Sequence, residues 1–299
     1  MPSPIRLTVM AVAVSAFAAQ GAIAQTLGDT LQKIKETGAI TLGYRESSVP
    51  FSFLDAQQKP IGLSIDLCDA IVARAKEQLK LPKLEVKTVA VNSSNRIPLV
   101  SNGTVDIECG GTANNAARQK EVAFSVTTFV SQPMWLVRND ATIKKPGDLK
   151  GKTIVVTQGS NAVGFARKVN EDEKLGMTLI QAKDHAESEL TLESGRAVGW
   201  LEDDILLAGT KANSRKGDTL SLVPGTFDPI YYGLMMRKGD PQFKALVDGT
   251  ITALMKSGDY DKLYRKWFES PIPPNTTNLK FPMPERLRER IKSPSDKID

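Results

Sequence analysis

The 299 residues give room for two domains, and a makeup of 41% hydrophobic and 24% charged residues is that of an ordinary soluble globular protein. The net charge of +5 comes without a Lys/Arg run or an aromatic-interleaved basic patch. That argues against nucleic acid and suits either a protein that handles small anions or plain solubility. Met1 to Ala24 carries Arg6, an apolar run from Leu7 to Ala19, and Ala22-Ile-Ala24 before Gln25, the pattern of a secretory signal with its cleavage site. Cleavage there would leave a protein free in the periplasm. No cysteine follows the site and no later apolar run has the length of a membrane span, so neither a lipid anchor nor a spanning helix is expected.

Beyond the signal, a helix (Leu27, Leu31, Ile34) stops at Gly38, and Ala39 to Tyr44 reads as a strand. A hairpin-like excursion through Phe51 and Phe53 turns at Ala56 to Lys59. Gly62 then leads into a helix capped by Ser64, with the apolar stripe Ile65, Cys68, Ile71, Val72, Ala75 and Leu79. Leu84, Val86, Thr88 and Ala90 alternate as a strand does, and a short helix from Asn95 to Asn102 closes at Gly103. This alternation of strand and helix predicts a mostly parallel sheet covered by helices.

Val105, Ile107 and Cys109 form a short buried strand that stops at Gly110-Gly111. A polar turn, Thr112 to Asn115, opens a helical turn carrying Arg118, and Val122 starts a new strand. Glycines let a backbone approach a ligand, helix-start N–H groups attract anions, and an arginine fork fits a carboxylate. Alone, the motif is read equally well as a plain turn beside a surface charge. The cysteines Cys68 and Cys109 could form one disulfide in an oxidising compartment. The expectation here is two unpaired buried thiols, because a helix stripe and a strand can pack without disulfide geometry.

Phe124 to Arg138 is long, extended and apolar, as a crossing into a second lobe would be. Pro146 to Ser160 restarts the α/β pattern, followed by strands at Thr178–Gln181 and Ala197–Leu201 around a helix at 189–195. Ile230 to Arg237 would carry the chain back. Asp240 caps a helix with the stripe Phe243, Leu246, Val247, Ile251, Leu254 and Met255, which stops at Gly258; Asp259 would cap the next, with Tyr260, Leu263, Tyr264, Trp267 and Phe268. From Pro271 the tail is rich in proline and charge, and is expected to wrap the surface or fray. The lobes are placed at 25–127 plus 228–299 and at 128–227.

The succession of strand, small residues and Arg-x-x-x-[apolar]-x-Phe-Ser at 105–125 resembles the signature of the polar-amino-acid family of type II periplasmic solute-binding proteins. Within it, the chain is similar to the glutamate/aspartate-binding proteins of ABC importers. The matching stretches run in order: Gly43-Tyr-Arg-Glu-Ser-Ser-Val-Pro-Phe-Ser52, Asn95-Arg-Ile-Pro-Leu99, Glu108-Cys-Gly110, Asn114-Asn115, Arg118-Gln-Lys120, Asp148-Leu-Lys-Gly-Lys152, Ala182-Lys-Asp-His185, Thr191 to Val198, Asp203-Asp204 and Pro271-Ile-Pro-Pro274. The resemblance implies an α/β chain in the two-lobed type II periplasmic-binding-protein fold with two hinge crossings. It implies a monomer that hands a small anionic ligand to a membrane ABC permease, with no cofactor and no catalysis.

Ligands of such sheets bind outside the carboxyl ends of strands, and the candidate residues fall at those ends: Arg45, Ser93, Arg96, Gly111, Ala113 and Arg118 in the first lobe, Asn161, His185 and Asp203 in the second. Three arginines facing one cleft would repel one another unless an anion lay between them. From the resemblance, Arg118 would bind an α-carboxylate, Arg45, Ser93, Arg96 and His185 a side-chain carboxylate, and Asp203 the α-ammonium. The chain departs from the family pattern at Gly111 and Ala113, where relatives carry hydroxyl residues, and at Asn161, where threonine is usual. Those changes cluster on the amino-acid end of the ligand, so another small dicarboxylate stays open. An enzyme on the same fold, resembling cyclohexadienyl dehydratase, is the alternative, but the chain has no HExxH, GxSxG or Cys/His cluster to support it. The sensor domain of a receptor is a third reading and lacks a membrane segment.

Overall fold

The computed structural model describes residues 30–298. The signal sequence, Gln25 and Leu27 lie outside these. The fold is two α/β lobes, each built on one five-stranded sheet.

The first lobe begins with α1 (Thr30–Thr37), whose Leu31 and Ile34 are buried, and β1 (Ala39–Tyr44). The excursion is a small antiparallel sheet of β2 (Ser47–Ser48), β3 (Ser52–Leu54) and β4 (Pro60–Ile61). Then come α2 (Leu63–Leu79), β5 (Glu85–Ala90), α3 (Arg96–Ser101), β6 (Ile107–Cys109), β7 (Ala113–Asn114) and β8 (Val122–Phe124), after which β9 (Phe129–Ser131) makes the first crossing. The second lobe contains β10 (Pro133–Arg138), β11 (Thr153–Thr157), α4 (Ala162–Asp172), β12 (Thr178–Ala182), α5 (His185–Glu193), β13 (Gly199–Asp203), α6 (Asp204–Asn213) and β14 (Leu220–Pro224). The chain returns through β15 (Ile230–Tyr232) and β16 (Met235–Arg237) to α7 (Pro241–Ser257), α8 (Asp259–Phe268), the hairpin of β17 (Pro271–Ile272) and β18 (Thr277–Asn278), and α9 (Glu285–Lys292).

The strand orders are β5-β1-β6-β16-β8 and β12-β11-β13-β10-β14. In each sheet the three strands of the strand–helix succession are parallel, while the strand that crosses between lobes is antiparallel to its neighbours. The two crossings run side by side, because β15 pairs with both β9 and β7, with Tyr231 opposite Val130 and Tyr232 opposite Ala113. This topology points the carboxyl ends of β1, β5 and β6 at those of β11, β12 and β13. An aromatic cluster lies beneath the cleft on the first-lobe side: Phe51 meets Phe129 at 5.0 Å and Tyr232 at 5.2 Å between ring centroids.

The structure corrects several sequence expectations. Cys68 and Cys109 are joined in a disulfide, with Cα atoms 6.2 Å apart. The buried stripe of α2 lies directly on the end of β6, so the two side chains that pattern reading treats as separate hydrophobes meet face to face. The N-cap of α2 is Gly62, not Ser64; the Ser64 hydroxyl instead donates to the Gly110 carbonyl (3.1 Å) and anchors the Gly-Gly turn. Asp259 is the first residue of α8 and Gly258 is its cap. The alternating strand β5 is an edge strand exposed along most of its length, with Val86 42% exposed and Val89 partly buried against the core. Arg118 heads a single 3-10 turn (Arg118–Lys120), not an α-helix. Of the two expectations for the tail, wrapping is met among the described residues: α9 buries Leu287, and the Ser295 carbonyl accepts from both the backbone and the hydroxyl of Thr127 at the first crossing.

Candidate functional site

Each parallel strand ends in a turn that delivers one or two polar side chains to the space between the lobes. After β1 comes Arg45, whose backbone N–H is held by the Ser52 hydroxyl at 2.8 Å. After β5, the Asn92 side chain accepts from the backbone of Ser94 and Asn95, a local turn that presents Ser93 and starts α3 at Arg96. After β6, Gly110 leaves room for two side chains: a Cβ there would stand 2.2 Å from Glu108 Oε1 and 3.1 Å from Arg45 Cγ. From the other lobe come Gly159, Ser160 and Asn161 after β11, His185 at the head of α5, and Glu202 and Asp203 at the end of β13.

All nine sequence candidates line one narrow cavity of about 10 Å³. That is about the space of a single water molecule, so the polar side chains of the two lobes fill the site in this structure. The cavity also includes Ser160, which lies in the Gly159 to Asn161 turn read from the sequence as a candidate strand end, and Glu202 and Leu206, which sequence reasoning missed. Glu202 left a signal, a carboxylate closing an apolar strand beside Asp203. Leu206 left none, since a helical leucine looks ordinary.

The lobes touch across this cavity. Arg118 donates from Nη1 to the Ala113 carbonyl (2.8 Å) on its own side and from Nη2 to the Gly159 carbonyl (3.0 Å) on the other. The Asn115 amide donates to Asn161 Oδ1 (3.2 Å), Ser48 Oγ lies 3.1 Å from His185 Nδ1, and the Tyr232 hydroxyl donates to Asp203. Arg96 Nη1 donates to Thr112 Oγ1 (2.6 Å), which in turn donates to Glu108 Oε2 (2.6 Å). Glu108 therefore orients Arg96 from below and does not line the cavity.

Charge and burial oppose each other here. Arg45, Arg96 and Arg118 are at most 7% exposed. Burial, reinforced by the neighbouring Arg96 charge, lowers Arg118 to about 9 and Arg45 to about 10. Burial, then Arg45 and Arg96, hold His185 well below the usual histidine range, so its ring is neutral. Burial, then Glu202, push Asp203 well above the usual carboxylate range. An anion between the arginines and an ammonium beside Asp203 would relieve both conflicts. Among the described residues, no group of three or more His, Cys, Asp or Glu side chains is placed to hold a metal ion.

Residues 40–270 match the family model described as bacterial extracellular solute-binding proteins, family 3. The chain belongs to the bacterial extracellular solute-binding proteins, family 3. Family 3 relatives among curated proteins include the L-glutamate/L-aspartate-binding protein of Pseudomonas aeruginosa, 49% identical over 287 residues covering 95% of this chain and 94% of that one. The glutamate/aspartate import solute-binding protein of Salmonella typhimurium is 47% identical over 274 residues, 92% and 91% of the two chains. Among solved structures, a mutant of ArgBP from T. maritima superposes with a TM-score of 0.70 at 27% identity, covering 81% of this chain and all of that one. An ancestral amino acid-binding protein described as a precursor of cyclohexadienyl dehydratase gives 0.68 at 27% identity, covering 80% and 99%. Fold alone thus spans binders and the forebear of an enzyme. The sequence relatives are named as solute-binding proteins, and this chain is a solute-binding protein of the same family.

Proposed function

We propose that this family 3 protein binds an acidic amino acid, glutamate or aspartate, between its lobes and presents it to a membrane ABC permease as a monomer. The observation that carries the reading is the convergence of Arg45, Arg96, Arg118, Ser93, His185 and Asp203 on one cavity at facing strand ends. Arg118 holds the α-carboxylate with the backbone at Gly111 and Ala113 and the Asn161 amide. Arg45, Ser93, Arg96 and His185 take the side-chain carboxylate, and Asp203, fixed by Tyr232, takes the ammonium. The names of the curated relatives support the same ligand class.

The lobes are assigned as 25–127 plus 228–299 and 128–227, hinged where β9 and β15 run side by side. The signal is removed after Ala24, so periplasmic material begins at Gln25; an N-terminus at Met1 on exported protein would refute that point.

A second reading, a small dicarboxylate without an amino group, draws on Gly111. A Cβ there would stand 2.9 Å from Tyr232 and 3.1 Å from Phe51, so the hydroxyl side chain expected from the family pattern has no room. Titration calorimetry with glutamate, aspartate, glutamine, arginine and plain dicarboxylates decides between the two. Tightest binding of glutamate or aspartate is expected at neutral pH. Equal or tighter binding of arginine or of a plain dicarboxylate overturns the assignment.

A further inference from the structure

Among the polar atoms lining the cavity, three are buried without a hydrogen-bond partner in the protein: Arg45 Nη2, Arg96 Nε and Glu202 Oε2. Two are donors and one is an acceptor. A distal carboxylate on a ligand satisfies the donors, yet it presents only acceptors and leaves Glu202 facing another acceptor.

The groups that face Glu202 come from every element around it. They are Arg45 after β1, Arg96 on α3, Ser160 after β11, His185 on α5 with Nε2 at 3.7 Å, and Asp203 on its own strand, with Arg118 and Tyr232 further off. His185 Nε2 does not come within hydrogen-bond distance of the carboxylate. The other ring nitrogen, Nδ1, lies 3.1 Å from Ser48 Oγ.

Resting on the ligand class proposed above, we propose that Glu202 turns the distal pocket into a donor-and-acceptor pocket, in which one proton is shared between Glu202 and the ligand's side-chain acid. An acidic amino acid is then captured together with one proton from solvent, forming an O–H···O bond between the two carboxyl groups. A side-chain carboxamide carries its own N–H and needs no proton. Glu202 is thereby a specificity-determining residue: it sets how strongly the pocket prefers acid over amide, and at which pH. Burial raises the Glu202 carboxyl above the usual glutamate range, which keeps the added proton within reach near neutrality.

The test is calorimetric titration of wild type and Glu202→Gln with glutamate and with glutamine from pH 5 to 9, each pH in two buffers of different ionisation enthalpy. At alkaline pH, wild type should take up close to one proton per glutamate and none per glutamine. Glutamate affinity should fall by about tenfold per pH unit where uptake is complete, by linkage. Uptake should fade toward acid pH, where Glu202 already carries its proton. Glu202→Gln should still bind glutamate, with no proton uptake and a flat pH profile. Glutamate binding without uptake at any pH overturns the inference, as does uptake that persists in Glu202→Gln, which would assign it to His185 or to Arg118, whose guanidinium is lowered by burial to about 9. Failure of both glutamate and aspartate to bind wild type at pH 5 removes the ligand class itself, and this inference with it.

Discussion

Gly209, inside α6, lies so close to the Val49 carbonyl across the lobe boundary that an added Cβ would stand 2.5 Å from the oxygen. No side chain fits there while the lobes are together. Within α6 alone, alanine is the better residue, by about 0.5–1 kcal/mol in a helix interior. Gly209→Ala is therefore expected to leave the ligand-free melting temperature unchanged or slightly raised, while ligand affinity falls tenfold or more because the cleft cannot close. Unchanged affinity in calorimetry would show that the contact plays no part in closure.

The disulfide makes a second prediction. Cys68 and Cys109 are 41 residues apart, and closing a loop of that length in the unfolded chain amounts to about 4 kcal/mol in the chain-entropy model. Replacing both cysteines by serine should lower the unfolding free energy by roughly 2–4 kcal/mol, with ligand binding kept at temperatures where the variant stays folded. Neither sulfur lines the cavity. A loss under 1 kcal/mol in denaturant titration would mean that the α2–β6 packing holds without the bond.

That bond also marks where sequence reading stops. The stripe on α2 and the short strand ending at Cys109 were both legible from periodicity, because each is a local pattern. Their meeting is not local: it depends on how α2 crosses the sheet. The same division holds at the site. Arg45, Arg96, Arg118, His185 and Asp203 could be placed at strand ends from the α/β alternation and the matching motifs. The packing of Tyr232 and Phe51 against Gly111 could not, since it joins an excursion, a turn and a returning strand. Strand β5 shows the converse error: alternation was present at Leu84, Val86, Thr88 and Ala90, but most of this edge strand is exposed, and Val89, outside that alternating set, is the residue that packs inward.

Asp203 gives a prediction in which stability and binding move in opposite directions. Burial and the neighbouring Glu202 raise its carboxyl well above the usual range. The folded protein therefore binds more protons than the unfolded chain between the two pKa values, and stability falls as pH rises through that window. Asp203→Asn removes this cost and can still accept the Tyr232 hydroxyl. The ligand-free variant should melt higher than wild type at pH 7, with the gain shrinking toward pH 4. Amino-acid binding should drop by about a hundredfold or more, from a lost buried charge pair of roughly 3–5 kcal/mol. A variant less stable than wild type at pH 7, or one that binds normally, would contradict the assignment of Asp203 to the ammonium.

The arginines differ in what each already holds, and this orders their expected losses. Arg118 spans the lobes, donating to Ala113 on one side and Gly159 on the other, so its removal loses a ligand carboxylate partner and an interlobe tie together. Breaking a buried charge pair costs roughly 3–5 kcal/mol, and about 1.4 kcal/mol is tenfold in affinity. Arg118→Ala should thus bind all amino acids a hundred- to several-thousand-fold more weakly. Arg118→Lys should recover little, because one ammonium cannot reproduce the planar fork. On the proposed assignment Arg45 and Arg96 share the second carboxylate, so Arg45→Ala or Arg96→Ala should cost less, and mainly for ligands with a side-chain acid. Glutamine, weaker than glutamate in wild type at neutral pH, should gain relative to glutamate in those two variants. Calorimetry of the four variants against both ligands checks the order. Arg118→Ala binding within a fewfold of wild type, or glutamine matching glutamate at neutral pH in wild type and variants alike, would mean that the arginines do not divide the two carboxylates in this way.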